Sequence, residues 1–473
     1  MLTIDYANGM SPRVGEHGLE PESLAPGSPA ADQAAAVAQC LADHRGAGWE
    51  RWRLLPFDPL AQQHLQSVRH AVEERQGRFD TLIVLGIGGS ALGALAAHSA
   101  LTSPTWNLLD DAHRPGPRLF VMDNVDPHTV AATLEFLSST PDRLDRTLFC
   151  VVSKSGETAE TASQFLIVRR MLIDALGSDQ AADHIIAITD EAKGTMRSIC
   201  DAEGYATLPV PEGVGGRFSV LSPVGLFPAA MCGVDIKAML QGAAAMDERC
   251  ASADLSTNPA AMLATILTRL AQEKNKPIHV LMPYADRLYL LADWYRQLWA
   301  ESLGKRADAT GRDVFAGYTP IKALGATDQH SQIQLYREGP NDKVVGFLEV
   351  QDAGAEVAIP EGFGVEALDY LEGASLGGLL SAEKRATEFA LVQSQRPNFT
   401  VRFPRIDAHH VGEFFQLWMM TTAYAGHFLS IDAYNQPAVE TGKKATFGLM
   451  GRAGYESYKS EVDQTLGDTP FVL

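Results

Sequence analysis

TLIVLGIGGSALGALAAHSAL, residues 81–101, passes from an apolar run through a glycine-rich turn into a stretch of small side chains. Leu82 to Leu85 reads as a buried parallel strand, and Gly86-Ile87-Gly88-Gly89-Ser90 as a tight turn. A helix of small residues follows over about 91–101. Such a turn aims free backbone N–H groups and the positive end of a helix at one point. That point suits an anion, most often a phosphate.

Outward from this stretch the pattern repeats. The runs Leu82–Leu85, Leu119–Met122, Leu148–Val152 and Ile185–Ile188 alternate with helical stretches around 91–101, 127–138, 157–176 and 193–202. That alternation predicts a parallel sheet covered by helices on both faces, ending near Leu208-Pro209-Val210-Pro211. A second α/β block is expected over about 255–395, with strands at Ile278–Met282, Ile333–Tyr336, Val344–Val350 and Thr400–Phe403 and a helix at 286–303. Upstream, Pro12, Pro21, Pro26 and Pro29 keep residues 1–30 from forming a regular helix, and helical segments follow around 31–43 and 58–76. Residues 409–473 read as mostly helical, with a polar turn at 434–444.

The totals narrow the partners. The chain has 473 residues, 46% apolar and 21% charged, which fits two globular lobes. A formal charge of −19 argues against nucleic acid or an anionic membrane, both of which reward clustered Lys and Arg. An anionic substrate would then need a positive field made locally. Cys40, Cys150, Cys200, Cys232 and Cys250 are scattered without a C-x-x-C pair and read as free thiols in a reducing cytoplasm. The start of the chain lacks the basic-then-apolar pattern of a signal peptide, so a cytoplasmic location is expected.

The glycine turn has two readings. Gly86-Ile87-Gly88-Gly89-Ser90-Ala91 satisfies the loose dinucleotide fingerprint, with Asp110 and Asp111 placed to bind a ribose. Against it stands the next strand end, where Leu148–Val152 runs into Ser153-Lys154-Ser155-Gly156-Glu157-Thr158 and a long helix. Two such turns from one parallel sheet open on the same edge. The hydroxyls of Ser153, Ser155 and Thr158 can each donate to a phosphate with three oxygens, although Ser and Thr at a helix start also serve as caps.

The pairing of GIGGS with SKSGET resembles a SIS-type sugar-phosphate domain, and later segments are similar to those of the phosphoglucose isomerase family. Glu212-Gly213-Val214-Gly215-Gly216-Arg217-Phe218-Ser219 resembles that family's G-G-R-[FY]-S signature, and Tyr434 to Lys443, YNQPAVETGK, its C-terminal Q-x-G-V-E-x-x-K signature. Ala300-Glu301-Ser302-Leu303-Gly304-Lys305 and Asp328-Gln329-His330 match two further segments in family order. The departures are Ala438 in place of Gly and Tyr434-Asn435 in place of the commoner Phe-Asp.

The resemblance implies two doubly wound, parallel-sheet α/β/α domains of SIS type with helical N- and C-terminal arms. The division expected is an arm at 1–70 packing on the second domain, domains at 71–211 and 212–400, and a helical segment at 401–473 carrying a catalytic lysine. It implies reversible aldose-ketose isomerisation of glucose 6-phosphate and fructose 6-phosphate. The roles implied are Glu301 as base, Arg217 beside the enediolate, and His330 and Lys443 in ring opening. Gly88, Gly89, Ser90, Ser153, Lys154, Ser155, Thr158 and Gln436 are expected to bind substrate, with Glu160 orienting Lys443.

No cofactor and no metal are expected, since the net reaction is not redox and the adjacent side chains of His409-His410 diverge. A homodimer is implied, with His330 donated across its interface. Two other readings remain: a sugar-phosphate sensor without turnover, which leaves Glu301, His330 and Lys443 without a shared use, and a nicotinamide-dependent dehydrogenase.

Overall fold

A computed structural model describes residues 1–467, 469, 471 and 472. The chain begins with a short strand, β1 (Thr3–Asp5), and a series of 3-10 turns, and two helices, Pro29–Asp43 and Leu60–Glu73, lead into the first sheet. That sheet contains β2 (Thr81–Leu85), β3 (Arg118–Met122), β4 (Thr147–Val152), β5 (Ile185–Thr189) and β6 (Ala206–Pro209). Their spatial order is β3-β2-β4-β5-β6 and every pair is parallel. Ile83, Leu85, Phe149 and Val151 enter one core while Leu82, Val84, Leu148 and Cys150 enter another, so both faces are covered and the strands read as unbroken apolar runs. This order makes β2 and β4 neighbours whose connections leave in opposite directions, to β3 and to β5. A crevice therefore opens beyond their carboxyl ends, and the two turns of interest border it.

The remaining strands are β7 (Ile278–Pro283), β8 (Lys305–Ala307), β9 (Asp313–Ala316), β10 (Thr319–Lys322), β11 (Lys343–Asp352) and β12 (Asn398–Arg405). The second sheet runs β1-β12-β11-β7-β10 and is parallel except for β1, which lies antiparallel to β12 with Ile4 opposite Val401. β8 and β9 form a separate antiparallel ribbon. Leu281, Leu348 and Val401 on one face of the second sheet share a continuous core with Leu82 and Leu148 of the first, whereas Val280, Met282 and Phe347 pack in a cluster of their own. The helix Ala408–Phe428 runs buried through the shared core, where Trp418 lies 4.3 Å from Tyr295 and Phe415 lies 4.7 Å from Trp294, ring centre to ring centre. Those partners belong to the helix Tyr289–Leu303, which carries Glu301. One core thus fixes the helix of Glu301 against both sheets.

The structure departs from the sequence reading at the margins of the sheets. Ile333–Tyr336, expected as a strand, is the start of the helix Ile333–Glu338. The apolar side chains it turns inward, Ile333 and Tyr336, are spaced i, i+3 while Leu335 is exposed, which a helix satisfies better than a strand. The strand of that region is β10, which Pro320 hid, and because β10 is the last strand of its sheet the missing N–H can be tolerated there. Likewise the Pro-interrupted segment at 208–211 is in part the edge strand β6. The polar turn expected over 434–444 is a loop only as far as Ala438, and Val439–Leu449 is helical. The long helix after β4 starts at Ala159, two residues later than Glu157.

Candidate active site

Both turns of the first sheet open into one cavity of about 1080 Å³. Gly88, at φ +58°, takes a left-handed conformation that admits glycine easily, and it lets the chain turn sharply from β2 into a single 3-10 turn, Gly88–Ser90. Gly89 has a second constraint. A Cβ there would stand 2.2 Å from the carbonyl carbon of Gly216, so the glycine turn after β2 and the turn bearing Arg217 touch backbone to backbone.

The second turn is braced by its own hydroxyls. Ser153 Oγ accepts from the Gly156 amide at 3.0 Å and Ser155 Oγ accepts from the Glu157 amide at 3.1 Å. Each hydroxyl keeps its proton to donate elsewhere. Thr158 occupies the N-cap position of the helix Ala159–Leu176 without a side-chain capping bond, so its hydroxyl is free of the capping role. Ser90, Ser153, Lys154, Ser155, Thr158 and Glu160 all line the cavity. Burial lowers the Lys154 ammonium below the usual lysine range, against the opposing pull of the Asp190 and Glu212 carboxylates.

Arg217 lies on the turn Gly216–Phe218 and is buried. Its Nε donates to Ser302 Oγ at 2.7 Å, Nη1 to Glu301 Oε1 at 3.1 Å and to Gln436 Oε1 at 3.0 Å, and Nη2 to the carbonyls of Ala433 at 2.8 Å and Asn435 at 3.2 Å. Burial lowers its affinity for the proton, and the Glu301 carboxylate opposes that effect. The guanidinium is therefore a charge fixed in position by five acceptors, beside the carboxylate that would act as base.

Glu301 sits in the last turn of Tyr289–Leu303, with Oε1 on Arg217 and Oε2 accepting from Gln297 Nε2 at 3.0 Å. Beyond it, Lys305 folds back so that its Nζ donates to the carbonyls of Glu301 and Ser302 at 3.0 and 2.6 Å. This ties off the helix end in place of a left-handed glycine, since Gly304 has φ −71°. Burial pushes Lys305 down to about 8.

Of the residues singled out from sequence, Gly88, Gly89, Ser90, Ser153, Lys154, Ser155, Thr158, Glu160, Arg217, Glu301, Gln436 and Lys443 line this one cavity. His330 does not. It is exposed, following the turn Thr327–Gln329, where Asp328 Oδ2 accepts from the Leu324 amide at 2.7 Å and Gln329 Oε1 accepts from the Tyr284 hydroxyl at 2.5 Å. Lys443 bonds Glu440 at 2.9 Å on its own helix rather than Glu160, because residues three apart on a helix share a face.

Sequence reasoning missed Gln297, Trp49 and Lys193, which also line the cavity. Gln297 carried a signal, since it lies one helical turn before Glu301. Asp110 and Asp111, offered as ribose ligands, both precede β3 on the edge formed by the amino ends of the strands, where Asp111 bonds Arg114 at 2.6 Å. That edge is not where the glycine turn opens, which removes the acid required by the dinucleotide reading. His410 is bound to Asp407 at 2.8 Å and serves the start of its helix. Among the described residues no group of three or more His, Cys, Asp or Glu is placed to hold a metal ion, and no helix is long and apolar enough to cross a membrane. All five cysteines are free.

The family pattern described as phosphoglucose isomerase matches residues 63–453. A glucose-6-phosphate isomerase of Carboxydothermus hydrogenoformans is 45% identical over 420 residues, 89% of each chain. One of Rubrobacter xylanophilus is 40% identical over 458 residues, 96% of this chain and 99% of its own. The crystal structure of a hypothetical protein from Thermus thermophilus matches with a TM-score of 0.83 at 34% identity, covering 95% of this chain and 100% of that one. A glucose-6-phosphate isomerase from Chlamydia trachomatis shares the fold, with a TM-score of 0.72 at 22% identity over 92% of this chain and 81% of its own.

Proposed function

The chain belongs to the phosphoglucose isomerase family, and from that premise we propose that it interconverts glucose 6-phosphate and fructose 6-phosphate. The observation that carries the reading is the pair Glu301 and Arg217, 3.1 Å apart, in the same cavity as two hydroxyl- and glycine-rich turns.

The reaction moves one proton between adjacent carbons. The turns at Gly88–Ser90 and Ser153–Thr158 hold the phosphate through amides and hydroxyls. Lys443 and His330 assist ring opening, an ammonium holding a hydroxyl oxygen and an imidazole passing a proton to the ring oxygen. Glu301 then takes the proton from C2, leaving a cis-enediolate. Arg217 offers fixed positive charge to the developing oxyanion, and its geometry is already set by the acceptors around it. A proton passes from O2 to O1 within the enediolate, and the carboxylic acid of Glu301 returns its proton to C1 as O2 becomes the carbonyl oxygen of the ketose. Gln297 and Gln436 orient Glu301 and Arg217, and Glu160 contributes a carboxylate near Lys443. No cofactor is consumed, because aldose and ketose are at the same oxidation level overall.

The placement of His330 away from the cavity of its own chain supports a homodimer in which each subunit lends its histidine to the other. The exposed apolar side chains of Val357, Phe363 and Tyr370 support such a contact, since large exposed apolar groups mark interaction surfaces. The division at residues 70, 211 and 400 and a cytoplasmic location belong to the same proposal. The test is a coupled assay of purified protein with fructose 6-phosphate, and separately mannose 6-phosphate, with and without a chelator. Glu301→Gln is expected to abolish fructose 6-phosphate conversion while leaving sugar-phosphate binding largely intact. Near wild-type turnover by that variant would sink the assignment of the base.

A further inference from the structure

The segment GWERWRL, Gly48–Leu54, is a 3-10 helix, in which side chains three apart lie one above another. Trp49 and Trp52 therefore share a face. Trp52 is fully buried and stacks on Phe218, the neighbour of Arg217, at 5.0 Å between ring centres. The segment is fixed further by Arg53, buried with Glu50 and Asp247. It also meets Gly213, where a Cβ would stand 2.3 Å from the Gly48 carbonyl oxygen. Trp49, one turn earlier, is 52% exposed and lines the cavity, whereas Trp52, Trp106, Trp294, Trp299 and Trp418 are all buried.

The Trp49 indole lies over the ammonium of Lys154, with Nζ 5.4 Å from the ring centre, within the range of a cation–π contact. Among the described residues no carboxylate comes within 4.0 Å of that ammonium. Of its acidic neighbours, Asp190 accepts from the amides of Ala192 and Lys193 at 3.1 and 3.2 Å, and Glu212 lies 3.9 Å from Arg51. In a chain of net charge −19 this arrangement has a purpose. A carboxylate would hold the lysine by neutralising it; an aromatic face holds it and leaves its charge for a ligand.

We infer that Trp49 is a positioning residue for the phosphate end of the site, holding the Lys154 ammonium beside the turn Ser153–Thr158 so that it reaches a phosphate monoester. The inference rests on the sugar-phosphate reading of the cavity. It is tested on the full chain by titration calorimetry with inorganic phosphate and with glucose 6-phosphate.

Trp49→Ala is expected to raise the Kd for both ligands about threefold, the scale of one partly exposed cation–π contact. Trp49→Phe, which keeps an aromatic face, should raise it by less than about twofold. In a Lys154→Met background Trp49→Ala should have no further effect. An unchanged Kd for Trp49→Ala, or equal weakening with and without Lys154, overturns the inference. A lowered unfolding midpoint in both Trp49 variants with equal loss of binding would make the residue merely structural and would also overturn it. A protein that shows the expected binding pattern but no isomerase turnover refutes the proposed reaction and leaves this inference standing.

Discussion

Arg217→Lys isolates what the guanidinium supplies beyond its charge. Arg217 donates to five acceptors spread over two segments: Ser302 Oγ and Glu301 Oε1 on one helix, and Gln436 Oε1 with the carbonyls of Ala433 and Asn435 on one loop. An ammonium has three donors on a single atom and cannot span that set. Ser302 and Ala433 are buried, so water cannot replace a lost partner there. One orphaned acceptor of that pair costs about 1–3 kcal/mol of stability.

The larger effect is on catalysis. The donors facing Glu301 and Gln436 are those an oxyanion beside Glu301 would use, and losing one such preorganised donor lowers kcat by about 10²–10³-fold. Because that interaction strengthens only in the transition state, kcat and kcat/KM should fall together while KM changes little. The assay couples glucose 6-phosphate formation from fructose 6-phosphate to an absorbance change, with urea unfolding in parallel. If Arg217→Lys kept kcat within about threefold of wild type, against the loss expected for such a donor, a point charge would suffice and the role given to the fixed fork would be wrong.

Two further outcomes follow from packing and burial. Gly89→Ala puts a methyl group 2.2 Å from the Gly216 carbonyl carbon and 2.6 Å from the Arg217 amide nitrogen, backbone atoms that cannot rotate aside. The two turns must separate, so stability should drop by about 1–3 kcal/mol in urea unfolding and activity by as much as about 10²-fold. His279 is fully buried against Trp299 and Tyr318, and desolvation lowers it to about 3. Between pH 6.5 and that value the unfolded chain binds a proton the folded one refuses, so stability falls as pH falls through this window. At pH 5 the penalty is about 2 kcal/mol. His279→Phe should show a smaller loss of urea stability from pH 7 to pH 5 than wild type by about that amount. His64 and His98, both lowered to about 4 by burial, leave the variant some acid sensitivity.

What could be read from sequence tracks how the residues are buried. β2 and β4 are buried on both faces, so every residue must be apolar or small and the runs stand out. The edge strands β6 and β10 need only one neighbour, and the prolines they accommodate erase the pattern. At the site, Glu301 taken by itself is indistinguishable from a solvated carboxylate at a helix end, and it gained a role only through resemblance. Gln297 follows from it by one turn of helix. Trp49 has no such handle, since GWERWRL shows neither helical nor strand periodicity, and its spacing from Trp52 acquires meaning only in a 3-10 helix.

Arg217 is also where the separate parts of the chain are brought into register. Its turn touches Gly89 of the first sheet, its Nε reaches Ser302 on the helix that carries Glu301, and its other nitrogens reach the loop leading to the helix of Lys443. Phe218, the next residue, lies between Trp52 of the N-terminal segment, on which it stacks at 5.0 Å, and Tyr434 of the same loop, against which it is tilted at 5.5 Å. Gly89, where a Cβ would strike the Gly216 backbone, keeps this junction close, and the buried Arg217 satisfies it. The motif GGRFS is therefore constrained twice, once by packing and once by charge. A substrate oxygen arriving beside Glu301 has to compete for an Nη1 that already serves two acceptors, and the developing negative charge of an enediolate competes better than a neutral hydroxyl. The arrangement thus favours the transition state over the bound sugar, which is the condition for rate enhancement.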